Sequence, residues 1–178
     1  MPDDIPSVQP DLSANPFVTQ AGEGATTLSY DRSPLVRLGM AANRYARLSS
    51  RAFQESTGLG AMDWRVLVSL VHSPDTPVAA ITSTIGIDKA AISRALARLE
   101  AQGLVTAKAP GGDARRKLWR LTQDGQAMHD AMLPISLSLH DHVLTGFSTE
   151  DVASLNALLT RMIDNLDTPS NAKPQVRP

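Results

Sequence analysis

Eight side chains between positions 89 and 117 have the types and spacing to hold a nucleic acid duplex. Lys89, Ala90, Ser93, Arg94 and Arg98 lie in one segment, and Arg115, Arg116 and Lys117 in the next. Arginine pairs with guanine through two parallel N–H donors, serine serves several bases, and an alanine methyl can rest against that of thymine. Arginines beside a glycine pair, here Gly111-Gly112, suit the narrow and negative minor groove. From Ile87 to Thr122 eight basic residues stand against three acidic ones, a local +5. Other chemistries are poorly supplied. With no cysteine, disulfides, thiolate metal sites and thiol redox sensing are excluded. His72, His129, His140 and His142 lack metal-site spacing, so no metal and no cofactor are expected. Ser170-x-x-Lys173 imitates a nucleophile motif but lies in the C-terminal tail. Gly22-x-Gly24 lacks the preceding strand and third glycine of a dinucleotide loop, and no Gly-Lys-Ser/Thr follows Gly111-Gly112. No enzyme is expected.

The elements that must position these residues follow from periodicity. Ser33-Pro34 offers a capping hydroxyl and then a proline where its missing N–H costs nothing. Leu35, Leu38, Ala42, Tyr45, Leu48, Ala52 and Phe53 then recur at helical steps up to Gly58. Met62 to His72 predicts a second helix with Trp64, Leu67, Val68 and Val71 on one side, ended by Pro74. Thr76-Pro77 opens a third, with Val78, Ile81 and Ile85 inward, broken at Gly86. Asp88 caps a fourth through Gln102, which buries Ile92, Ala95, Leu96 and Leu99. The period then changes to that of strands: 104–108, a turn at Pro110-Gly111-Gly112-Asp113, and a return over 117–122. Helix resumes from Thr122 to about Gly146, with Pro134 expected to kink or restart it. A last helix starts at Ser148 with Asp151 in the acidic slot of a capping box; its stripe is Val152, Leu155, Leu158, Leu159, Met162, Ile163 and Leu166.

A short helix, a tight turn, a second helix and a two-stranded hairpin make a winged helix-turn-helix. The fold class expected is mainly α with a small β-hairpin wing. Residues 1–32 read as a flexible arm, 33–60 as an N-terminal dimerisation helix and 61–122 as the winged domain. Residues 123–167 read as C-terminal dimerisation helices and 168–178 as a flexible tail. Leu35, Leu38, Leu155, Leu158, Leu159 and Met162 are the residues expected to meet a second copy. Over all 178 residues the net charge is only -1, because a basic middle is flanked by ends of -4 each, over 1–32 and 123–178. No apolar run is long enough for a membrane span, and Met1-Pro2-Asp3-Asp4 is acidic where a signal peptide is basic; a cytoplasmic protein is expected.

Residues 33–167 resemble a MarR-family transcriptional regulator. Leu59-x-x-x-x-Trp64-x-Val66-Leu67 is similar to the family's second helix, and Ile85-Gly86-Ile87-Asp88-Lys89-Ala90-Ala91-Ile92-Ser93-Arg94 to its turn and recognition helix. Leu99-Glu100-Ala101-Gln102-Gly103-Leu104-Val105 is similar to the exit into the wing. Asp113-x-Arg115 with Leu121-Thr122-x-x-Gly125 is similar to the wing signature. The chain departs from the family at Thr82-Ser83-Thr84, where alanine and charge are usual, and at Gly60, where a hydroxyl usually caps the helix. The resemblance implies a homodimer on a near-palindromic operator in double-stranded DNA, acting as a repressor and released by a small-molecule effector such as an anionic aromatic. It implies that Lys89, Ala90, Ser93 and Arg94 read bases or phosphates. It also implies that Arg115 enters the minor groove, with Asp113 orienting it. The competing reading is a winged-helix module that binds protein instead of DNA.

Overall fold

The computed structural model describes residues 12, 14–110 and 117–168. In chain order the elements are β1 (Val18–Gln20), β2 (Thr26–Leu28), α1 (Pro34–Thr57), α2 (Ala61–His72), β3 (Thr76–Pro77), α3 (Val78–Ile85), α4 (Lys89–Ala101), β4 (Val105–Lys108), β5 (Leu118–Leu121), α5 (Gln123–Val143) and α6 (Thr149–Asp167). The backbone divides into two units, one drawn from 1–43 and 146–178, the other spanning 44–145.

The central unit carries the core. Phe53, Leu59, Val66, Leu67, Leu70, Ile81, Ile92, Ala95, Leu96, Leu99, Leu104, Val105, Trp119, Met132 and Leu139 are buried, and every one lies within 44–145. The stripe expected on α4 is the one buried. On α2 the stripe is rotated: Val66, Leu67 and Leu70 face inward, Trp64 and Val68 sit at the margin, and Val71 is exposed. A helix touched by neighbours on two sides has a wider apolar arc than one face, and α2 packs on α4, α5 and α3. The three hydroxyl residues of α3 do not break it; Thr82 folds its hydroxyl back onto the Val78 carbonyl at 2.9 Å.

Three expectations are refined or corrected. Thr76-Pro77 opens α3 from its flank, with Pro77 as the N-cap and Val78 the first helical residue. It also forms the edge strand β3, pairing with β5 through Thr76 to Trp119 and Pro77 to Leu118, so the sheet order is β3-β5-β4. Proline is tolerated there because an edge strand can leave one side without a donor. Helix α5 does not restart at Pro134: one helix runs from Gln123 to Val143 with the exposed proline inside it. Within the stretch read as an arm, β1 and β2 pair as an antiparallel hairpin, Val18 opposite Leu28 and Gln20 opposite Thr26. Gly22-x-Gly24 therefore does follow a short strand, but the chain turns back into β2 rather than entering a phosphate-binding helix. The hairpin is tied down by Ser29 N–H donating to the Phe17 carbonyl at 2.7 Å and by the Arg32 guanidinium on the Val18 carbonyl.

The outer unit is built differently. Its helix α6 starts as predicted: Ser148 accepts from Asp151 N–H at 3.1 Å, and Asp151 accepts from Ser148 N–H at 2.9 Å. Among its described residues only Ser29 and Ser33 are buried. Leu35 (68% exposed), Leu158 (55%) and Leu166 (82%) stand in solvent, with Phe17, Leu28, Tyr30, Leu38, Leu155 and Ile163 also exposed.

Candidate nucleic-acid interface

Gly86 makes the interface possible. It sits in the left-handed region at φ 69°, which a side chain would oppose, and it turns the chain sharply from α3 into α4. Asp88 then caps α4, accepting from Ala91 N–H at 2.9 Å. With Ile92, Ala95, Leu96 and Leu99 sealed inside, the opposite arc of α4 must face solvent. Lys89, Ala90, Ser93, Arg94, Ala97 and Arg98 are all exposed on it. Lys89, Ala90, Ser93 and Arg94 cluster toward the helix N-terminus, whose partial positive charge adds to theirs. Among the described residues neither Lys89 nor Arg94 forms an ion pair.

Two other arginines of the basic middle are already engaged. Arg98 donates to Asp63 Oδ1 at 2.6 Å, and Asp63 Oδ2 accepts from Gly60 N–H at 3.0 Å at the start of α2. Arg120, on β5, holds both carboxylate oxygens of Asp75. Asp75 occupies the turn before β3 in the left-handed region at φ 56°. The hydrogen bonds from Arg120 hold its carboxyl below the usual range, against desolvation, with further help from the charges of Arg120 and Lys108. The sequence contains both acids, but their partners lie 35 and 45 residues away, beyond any local pattern. Only the Gly60-x-x-Asp63 spacing, half of a capping box, hinted at Asp63.

At the base of the wing, Lys117 is exposed and its ammonium lies 5.4 Å from the Trp119 ring centroid, a cation–π contact that restrains the side chain. Asp113, Arg115 and Arg116 lie outside the described residues. The wing root is locked by contacts around Gly125. The Thr122 hydroxyl donates to the Gly103 carbonyl at 2.7 Å and accepts from Gly125 N–H at 3.0 Å, while Thr122 N–H donates to the Leu104 carbonyl at 3.1 Å. A Cβ on residue 125 would fall 1.8 Å from that same carbonyl oxygen, so only glycine fits.

Two grooves open on this unit. One of about 460 Å³ is bordered by the Asp75–Arg120 pair, Pro74 and the start of α5. The other, about 310 Å³, runs between α2 and α3 and is walled by Trp64, Val68 and Ile85, with Arg65 and His72 at its polar edge. Trp64 is both core and wall: the His129 ring stacks on it at 5.1 Å and Phe53 lies at 5.6 Å. Trp119 is simply core.

The comparisons with known proteins agree with this geometry. A MarR family model matches residues 57–116. The HTH-type transcriptional repressor NicR of Pseudomonas putida is 30% identical over 94 residues, which span 53% of this chain and 59% of that protein. The crystal structure of a MarR/EmrR family transcriptional regulator from Acinetobacter superposes with a TM-score of 0.73 at 26% identity, covering 79% of this chain and 99% of that one. Bordetella bronchiseptica BpsR, described as regulated in its DNA binding by 6-hydroxynicotinic acid, superposes with a TM-score of 0.68 at 22% identity over 78% of this chain and 98% of its own.

Proposed function

We propose that the chain is a winged-helix transcriptional regulator of the MarR family, a homodimeric repressor released from its operator by a small effector. The observation that carries the DNA reading is the exposed arc of α4, where Lys89 and Arg94 form no ion pair among the described residues. In the proposed complex α4 lies in the major groove, and Lys89, Ala90, Ser93 and Arg94 meet bases and phosphates. Arg115 and Arg116, with Asp113 steadying Arg115, and Lys117 follow the adjacent minor groove and backbone. The apolar side chains exposed on the outer unit, Leu35, Leu38, Leu155 and Leu158 with the partly exposed Leu159 and Met162, support closure onto a second copy. A two-fold axis then requires a near-palindromic operator with half-sites about one helical turn apart. The likeness to NicR supports repression as the output.

The groove between α2 and α3 supports an effector of defined chemistry: a flat aromatic acid against Trp64, its carboxylate toward Arg65. The test is fluorescence anisotropy with duplex DNA from upstream of the chain's own gene. Wild type binds at low salt, and Arg94→Ala loses roughly 1–3 kcal/mol per half-site. A folded Arg94→Ala of full affinity removes that residue from the reading. A wild type that binds no DNA turns the reading into a protein-interaction module. Adding 6-hydroxynicotinate to the complex should quench Trp64 emission and release DNA; release that persists with Arg65→Ala moves the effector elsewhere.

A further inference from the structure

Arg98 sits on the exposed arc of α4, yet its geometry separates it from Arg94. Its guanidinium reaches back to α2 and donates to Asp63 Oδ1 at 2.6 Å. The two side chains differ in setting: that of Arg98 is 51% exposed, that of Asp63 only 8%. Asp63 is therefore an almost buried carboxylate held by two donors on opposite sides, the Gly60 amide at the head of α2 and the guanidinium from α4. Burying a carboxylate is costly unless it is hydrogen-bonded and paired, so the pair resists being opened to lend Arg98 to a phosphate. Gly60 follows the buried Leu59 in the segment joining α1 to α2. The line Arg98–Asp63–Gly60 thus fastens the far half of α4 to the point where α2 begins.

We propose that Arg98 is a positioning residue: through Asp63 it fixes the angle at which α4 presents Lys89, Ser93 and Arg94, and it does not itself contact DNA. The proposal rests on the DNA-binding reading above. Apolar packing of Ile92, Leu96 and Leu99 fixes how close α4 lies to its neighbours, but such contacts are non-directional, and a single charged hydrogen bond supplies the rotational stop they lack.

The test compares wild type, Arg98→Gln, Asp63→Asn and the double variant, each by anisotropy on the upstream duplex and on a scrambled duplex over a range of salt, with thermal melts alongside. Asp63→Asn keeps an oxygen for the Gly60 amide but loses the charge and the second acceptor, turning an NH2 toward the Arg98 guanidinium. The expected result is that each single variant loses about tenfold in operator affinity. The double variant loses no more than either single. Binding to the scrambled duplex and the salt slope stay as in wild type, and Arg98→Lys recovers part of the loss. A merely structural pair would lower the melting temperature without changing the operator-to-scrambled ratio, and that outcome overturns the proposal. A salt slope reduced by about one in Arg98→Gln, with Asp63→Asn at full affinity, makes Arg98 a phosphate contact instead. A wild type with no operator preference sinks the DNA reading itself, which the Arg94→Ala comparison identifies separately. Variants that fail to fold in the melts are replaced by Asp63→Glu, which keeps the charge but lengthens the arm; wild-type preference in that variant also overturns the proposal.

Discussion

The two units of this chain solve the problem of apolar surface in opposite ways. The central unit encloses a continuous set of hydrophobic side chains, from Phe53 to Leu139, although Leu48, Val71, Leu133, Leu137 and Val143 stay exposed, and it leaves charge on the outside of α4. The outer unit, with α6 and the first turns of α1, leaves its own in solvent: Leu35, Leu158 and Leu166 among them. Burial of a leucine is worth about 1.5–3 kcal/mol relative to exposure, so the first unit contains its stabilisation and the second forgoes it until something covers the stripe. A region that is finished and a region that is unfinished ask for different tasks: under the proposed function the finished part is the reading head and the unfinished part half of a joint.

The contrast can be broken most severely in the finished half. Leu99→Ala empties a fully buried site and should cost about 2–5 kcal/mol in chemical denaturation, whereas Leu166→Ala should stay within about 0.5 kcal/mol at low protein concentration. A Leu166→Ala loss that grows with concentration would reveal the partner. Next comes Gly125→Ala, which drives a methyl into the Leu104 carbonyl and should cost about 1–3 kcal/mol or more; a neutral result would mean that the wing root can shift freely. The unfinished half is tested by Leu158→Glu. Wild type should sediment at twice its 19.0 kDa mass and the variant as a single chain, with helical content unchanged; a wild-type monomer at micromolar concentration leaves the joint without a mate.

The smallest effect is electrostatic. Asp75 has a depressed pKa when folded, so its pairing with Arg120 contributes fully above the unfolded carboxylate value of about 4 and fades as pH falls through the lower folded value. The stability gap between wild type and Asp75→Asn should therefore be open near pH 7, at about its full size, and narrow progressively in acid below about pH 4. A gap independent of pH assigns the effect of Asp75 to its strained backbone instead.

What could be read from sequence divides along physical lines. The buried stripe of α4 and the caps at Asp88 and Ser148 were legible, because helical period and capping are written within a few residues. The inward face of α2 was only half legible: Val66 and Leu70 belong to a helix packed on several sides, where no single stripe dominates. The hairpin of β1 and β2 escaped notice because each strand has three residues and its pairs are largely polar, Thr19 with Thr27 and Gln20 with Thr26. The exposed cluster Lys89, Ala90, Ser93 and Arg94 was legible as the complement of the buried stripe. The engagements of Arg98 and Arg120 were not, since charge type reveals a cation and tertiary structure alone reveals which acid has already claimed it.

The contact at Gly125 has a mechanical meaning. Where the first turn of α5 meets the Leu104 carbonyl there is no room even for a methyl group, and the Thr122 hydroxyl bolts the same place to Gly103. A joint with no clearance has no backlash. A tilt of α5 would be passed to the root of β4 with little slack, because a single glycine fills the space between them.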